Sequence, residues 1–138
     1  SIFRSADGFG ASKIYLTGYT ACPPREDLSK TALGAENAVP WEHFDSPIEA
    51  AENILKRGTS LVLIEQTTTS IPIYDIKWNF PVCFIVGNEV KGVSEELSKM
   101  ATIHAEIPMR GIKQSLNVSV ATGVVGYEFS RIFSDIKK

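Results

Sequence analysis

Cysteine, histidine and long apolar runs are what this 138-residue chain has least of. Cys22 and Cys83 stand far apart, with no C-x-x-C pair and no flanking histidine. That spacing speaks against a disulfide framework or a zinc site, and buried free thiols are the expected state. His43 and His104 are equally solitary, and structural roles are assigned to both. No apolar run approaches the roughly 20 residues of a membrane span. The opening SIFRSADGFG has neither the basic start nor the apolar centre of a secretory signal. The expectation is a cytoplasmic protein that uses neither a membrane nor a metal.

An excess of positive charge is also missing. Fourteen Lys and Arg face sixteen Asp and Glu, for a net charge of −2. Taken whole, this disfavours nucleic acid, because phosphate binding draws on Lys and Arg. The distribution changes that reading. Residues 1–30 carry four basic and three acidic groups, residues 31–98 four and ten, and residues 99–138 six and three. An anionic partner is expected to meet the two ends of the chain and not its middle.

The common nucleotide motifs are absent. Gly87-Asn88-Glu89-Val90-Lys91-Gly92 has the glycine spacing of a P-loop, but Val93 follows where Lys is required. Gly8-Phe9-Gly10 begins like a dinucleotide fingerprint, yet Lys13 replaces the third glycine and the segment precedes a strand. There is no G-x-S-x-G elbow and no glycine-rich first βα turn of the Rossmann kind.

What is present is the composition of one globular domain, with 43% apolar and 22% charged residues and enough chain to bury a core. Lys13–Thr17, Leu61–Ile64, Pro81–Val86 and Thr102–Ile107 read as strands. Ser46–Arg57 reads as a helix: Ser46 caps it, Pro47 fits its first turn, Glu49 completes a capping box and Gly58 closes it. A short acidic helix starts at Ser94. A long final helix runs from Leu116 to Ile136, with Val120, Val124, Tyr127 and Arg131 along one side. Strands alternating with helices imply an α/β domain with a mostly parallel sheet flanked by helices. Ligands in such sheets bind beyond the carboxyl ends of the strands. That rule directs attention to Glu65, Gly87 and Ile107, and to the polar stretches Glu65-Gln66-Thr67, Gly87-Asn88-Glu89 and Pro108-Met109-Arg110-Gly111. From the residues alone the reading stops at a nucleotide-like α/β pocket.

Three segments carry a family resemblance. Phe84-Ile85-Val86-Gly87-Asn88-Glu89-Val90-Lys91-Gly92-Val93 resembles the second motif of the SpoU/TrmH family of RNA 2′-O-ribose methyltransferases, in the SPOUT superfamily. Ile107-Pro108-Met109-Arg110-Gly111 with Ser115-Leu116-Asn117-Val118-Ser119-Val120-Ala121 resembles the third. Ile2-Phe3-Arg4-Ser5-Ala6-Asp7-Gly8-Phe9-Gly10-Ala11 resembles the end of the first. The resemblance implies a C-terminal deep trefoil knot, a homodimer whose site draws on both subunits, S-adenosylmethionine as cofactor and RNA as substrate. It assigns Arg4, Glu89, Ser115 and Asn117 to catalysis. Glu65, Gly87, Ile107, Met109, Ser115 and Leu116 fall to the cofactor pocket. A structural acid is the competing role for Glu89, and helix capping for Ser115 and Asn117. Glu65-Gln66-Thr67 and the compact size resemble the tRNA-type members, so tRNA is expected ahead of rRNA.

In that family the first motif opens with an asparagine and a glycine and follows a strand. Neither precedes Ser1, so residues 1–138 are expected to be a single SpoU domain lacking its N-terminal strand and the start of motif one. Arginine, with a pKa above about 12, is a poor base at neutral pH. Arg4 is expected to bind phosphate and lower the pKa of the 2′-hydroxyl electrostatically. A non-catalytic RNA-binding or assembly module and a knotted base methyltransferase are the alternatives.

Overall fold

The computed structural model describes residues 2–17, 38–87, 95–113 and 116–137. Cys22, Glu89, Lys91, Ser94 and Ser115 lie outside the described residues. In chain order come α1 (Ile2–Phe9), β1 (Ile14–Thr17), β2 (Trp41–Phe44), α2 (Pro47–Lys56), β3 (Ser60–Ile64) and β4 (Ile71–Pro72). A 3-10 turn (Ile73–Asp75), β5 (Val82–Ile85), α3 (Glu95–Met100), β6 (Ile103–Glu106) and α4 (Val118–Lys137) follow. All the described strand pairs are parallel. β1 pairs with β2, and the larger sheet has the order β4-β6-β3-β5.

β3 organises the larger sheet. Its Leu61, Val62 and Leu63 have no exposed surface at all. Successive side chains of a strand point to opposite faces, so a run of three apolar residues needs cover on both. Val62 packs into a cluster with Ile73, Ile76, Trp78 and Ala105, closed by Val125 and Phe129 of α4. Leu61 packs on the other face with Ala51 and Ile54 of α2 and Leu97 of α3. Each such side chain contributes about 1.5–3 kcal/mol on burial.

The helix at 47–56 forms as its sequence predicts. Ser46 has extended backbone and its Oγ accepts from the Ile48 N–H at 3.1 Å, while Glu49 adds an acid to the first turn. The cap bond goes to the second helical residue and not to the third, as a capping box would have it. Gly58 follows with φ of 77°, a left-handed conformation that a side chain would strain, and its N–H donates to the Leu55 carbonyl at 3.0 Å.

The expected strands at 14–17, 60–64, 82–85 and 103–106 are present, with ends shifted by about one residue. The final helix starts at Val118, two residues after its expected start, and buries a different stripe from the one the spacing suggests. Ala121, Val125 and Phe129 face inward, whereas Val120 and Tyr127 are 47% and 57% exposed. Arg131 is also exposed and donates to Glu128 at 2.7 Å. Three elements have no counterpart in the sequence reading: α1, β2 and β4. α1 is only two turns long and buries just Phe3 and Ala6. β2 alternates exposed and half-buried residues, and β4 has two residues, one of them proline.

Cys83 is a free thiol, as expected. It sits half-buried on β5 against the α2–α3 cluster, and burial pushes it up to about 11 from an ordinary 9.0. The thiol form is therefore favoured by the fold. Its stabilising contribution is intact below pH 9.0 and is lost as pH rises towards about 11. Cys83→Ala should flatten the alkaline fall in stability over that window, measured by urea unfolding at a series of pH values, and the native thiol should resist alkylation at neutral pH.

Candidate functional site at the carboxyl ends of the strands

The registers bring three strand ends to one level. Leu63 pairs with Ile85 on β5, and Ile64 pairs with Ala105 on β6. Continued past the strands, these registers set Glu65 beside Gly87 and Gln66 beside Ile107. The Glu65 N–H still donates to the Ala105 carbonyl at 2.8 Å. The Gln66 side chain then reaches across, its Nε2 donating to the Ile107 carbonyl at 3.5 Å.

The loop leaving β3 is held by hydroxyls. Ser70 Oγ donates to the Glu65 carbonyl at 2.7 Å and accepts from the Thr67 N–H at 3.2 Å. Ser70 and Thr67 hydroxyls are 2.7 Å apart. A hydroxyl has one proton, and that of Ser70 is committed to Glu65, so Thr67 is the donor in this pair. Thr67 Oγ1 then accepts from the Thr69 N–H at 3.3 Å. The turn is closed by side chains and the backbone of Glu65 is fixed. In the segments that follow the strands, Val86, Ile107, Met109 and Leu116 are only partly covered.

The opposite end of the chain contributes α1, which packs along α4. Ser5 lies next to Gly123, Phe9 against Gly126, and Gly8 against Tyr127. These pairings advance together along both helices, so the start of α1, with Arg4, lies towards the start of α4. There Asn117 caps the helix: its Oδ1 accepts from the Val120 N–H at 2.9 Å, and its carbonyl accepts from Ala121 at 2.9 Å.

The chain matches the SpoU rRNA Methylase family over residues 1–127. It belongs to the SpoU family. The tRNA (guanosine(18)-2′-O)-methyltransferase of Aquifex aeolicus is 33% identical over 132 residues, covering 95% of this chain and 62% of the relative. The crystal structure of the A. aeolicus TrmH/SpoU tRNA modifying enzyme superposes with a TM-score of 0.86 at 30% identity, covering 99% of this chain and 68% of that one. The SpoU methyltransferase AviRb from Streptomyces viridochromogenes, solved in complex with AdoMet, gives 0.86 at 25% identity, covering 97% and 55%. This SpoU chain thus spans roughly half to two thirds of the length of these relatives.

Within this SpoU domain, Glu65, Gly87 and Ile107 sit together at the strand ends. Met109 and Leu116 are half-buried in the segments leading to α4. Arg4 is exposed on α1 and Asn117 is exposed at the α4 N-cap. Glu89 and Ser115 lie outside the described residues. Arg110 and Lys113 are exposed on the loop after β6. Phe9 is half-buried between Phe84 and Tyr127, each with ring centroids 6.1 Å away, a packing role in place of an open aromatic platform. Sequence reasoning missed the bridging role of Gln66 and the closing role of Ser70. The run of hydroxyls from Thr67 to Ser70 was their signal, since such side chains bond to nearby backbone in turns.

The cap predicts a measurable cost. Asn117→Ala should lower unfolding free energy by about 1 kcal/mol, and Asn117→Ser should restore most of it, because serine supplies the same acceptor. Denaturant unfolding of the two variants checks this.

Proposed function

We propose that this chain is the methyltransferase domain of an enzyme that transfers a methyl group from S-adenosylmethionine to ribose 2′-hydroxyls of RNA, with tRNA favoured over rRNA. The observation that carries the proposal is that the carboxyl ends of three parallel strands come together at one edge of the sheet in a chain belonging to the SpoU family. The named relatives support it. One is a tRNA guanosine 2′-O-methyltransferase, and another solved relative holds AdoMet.

The residues at the strand ends fit that cofactor. An adenosine wants apolar walls and main-chain hydrogen-bonding groups; Ile107, Met109 and Leu116 offer half-buried apolar surface, and the Gly87 backbone with the second lone pair of the Glu65 carbonyl offers polar groups. The cofactor supplies an activated methyl group on a positively charged sulfur. The protein's part is to align the hydroxyl with it and to lower the hydroxyl's pKa. We assign that part to Arg4 through its fixed charge, with Glu89, Ser115 and Asn117 shaping the site. Arg4 and the basic residues Arg110 and Lys113 supply cations from both ends of the chain, as a polyanionic substrate needs. Residues 1–138 act in this reading as one SpoU domain in the cytoplasm, with the family's deep trefoil knot. Homodimer formation is supported by the uncovered apolar stripe of Val120 and Tyr127 on α4.

The full-length protein, incubated with methyl-labelled S-adenosylmethionine and total tRNA or rRNA, should place label in 2′-O-methylnucleosides. Label confined to bases would overturn the ribose assignment, and failure to bind the cofactor in calorimetry would leave a non-catalytic module. Arg4→Ala should abolish turnover while leaving cofactor affinity within about twofold; full turnover would remove Arg4 from the mechanism.

A further inference from the structure

The long helix α4 carries two glycines, Gly123 and Gly126, well inside its span. Interior glycines weaken a helix relative to alanine, so their presence calls for a packing reason. The two positions differ sharply. A methyl at Gly123 would meet only Ser5 Oγ at 3.7 Å, an ordinary contact. A methyl at Gly126 would overlap three ring carbons of Phe9. Phe9 lies in a notch that exists only because residue 126 has no side chain.

On the side of the sheet the ring has little freedom to yield. Phe84 on β5 flanks it at 6.1 Å with planes inclined by 43°, and Tyr127 at 6.1 Å with planes at 73°. Phe84 is itself braced edge-on by Phe129 at 5.0 Å, and Phe129 by Trp78 at 4.2 Å. A methyl at residue 126 therefore presses on Phe9 from the side opposite to this packing and, through it, on the end of α1, the helix that carries Arg4. Gly8 offers a contrast: its added methyl would meet Tyr127 Oη at 2.7 Å, the far end of an exposed side chain that swings away at little cost.

We infer that the Phe9–Gly126 notch is a positioning device for methyl transfer, setting the seat of α1 on α4 and through it the reach of Arg4. The inference rests on the role proposed above for Arg4. It makes Gly126 and Phe9 positioning residues: neither touches the reacting atoms. A displacement of about 1 Å in a reacting group costs on the order of a hundredfold in rate, so the effect falls on turnover and not on cofactor binding.

The test uses the full-length protein, with kcat and KM for RNA and the Kd for S-adenosylmethionine measured on each variant. Gly126→Ala should lower kcat by roughly tenfold to a hundredfold with cofactor Kd within about twofold. Gly123→Ala makes the same change in helix propensity and should turn over as the parent does. Adding Phe9→Ala to Gly126→Ala should raise kcat above that of the single variant, because the emptied ring space accepts the methyl. Parental kcat in Gly126→Ala, a parallel loss of cofactor affinity, or no recovery in the double variant would each overturn the inference. If Gly126→Ala does not fold, Phe9→Ala alone decides: a loosened α1 lowers kcat with cofactor binding kept, and an unchanged kcat overturns the inference. Arg4→Ala separates the two levels. Full turnover there defeats the role of Arg4 itself, whereas an inactive Arg4→Ala beside a normal Gly126→Ala defeats only the notch.

Discussion

Leu61, Val62 and Leu63 have no contact with solvent, and the rest of the domain is arranged to make that so. A central parallel strand must have neighbours on both edges, which β5 and β6 provide, and layers on both faces, which α4 on one side and α2 with α3 on the other provide. Because a one-residue slip would turn its apolar side chains to the wrong faces, the register with both neighbours is closely specified. The same registers bring the carboxyl ends of β3, β5 and β6 together. The site is thus a consequence of how the core is buried, and its geometry is as stiff as the strand that sets it.

The second constraint joins the two ends of the chain. α1 is too short to hold a helical conformation by itself, since isolated helices below about 12–15 residues are marginal in water. It persists because Phe3 and Ala6 are buried and because Phe9 enters the space left open by Gly126. Glycine inside α4 costs about 1 kcal/mol relative to alanine, and the close approach of two helices offsets it. An aromatic series of Phe9, Phe84, Phe129 and Trp78 ties this crossing to the face of the sheet on which Val62 lies. Edge-on contacts of this kind add to simple burial and resist rotation of the rings.

Local chemistry at the strand ends does two tasks with few residues. Asn117 satisfies an open N–H at the start of α4. Ser70 and Thr67 close the turn after β3 with hydroxyls and hold the Glu65 carbonyl, while the Glu65 N–H stays on the Ala105 carbonyl. Neither arrangement needs a buried charge, which fits a domain whose charges lie mainly on its surface and whose cations gather towards its ends.

The strands and the capped helix at 47–56 were legible in the sequence because their signals are local. Continuous apolar runs bounded by Gly and Pro, and Ser-Pro-x-Glu ahead of an amphipathic stretch, need no distant partner to be read. The α/β class followed from the alternation of those elements. Motif similarity added the residues at those ends, and with them the family. What the tertiary structure alone decided was non-local. It chose the face of α4 that is buried, with Ala121 and Val125 inside and Val120 and Tyr127 exposed, because Val124, Val125 and their neighbours are apolar all round and only the position of the sheet selects a face. It made a helix of residues 2–9 by supplying the surface against which so short a segment is stable. It turned Gly126 from an apparent weakness in a helix into the seat of Phe9, a fact that depends on two residues far apart in the chain meeting within a methyl group's width.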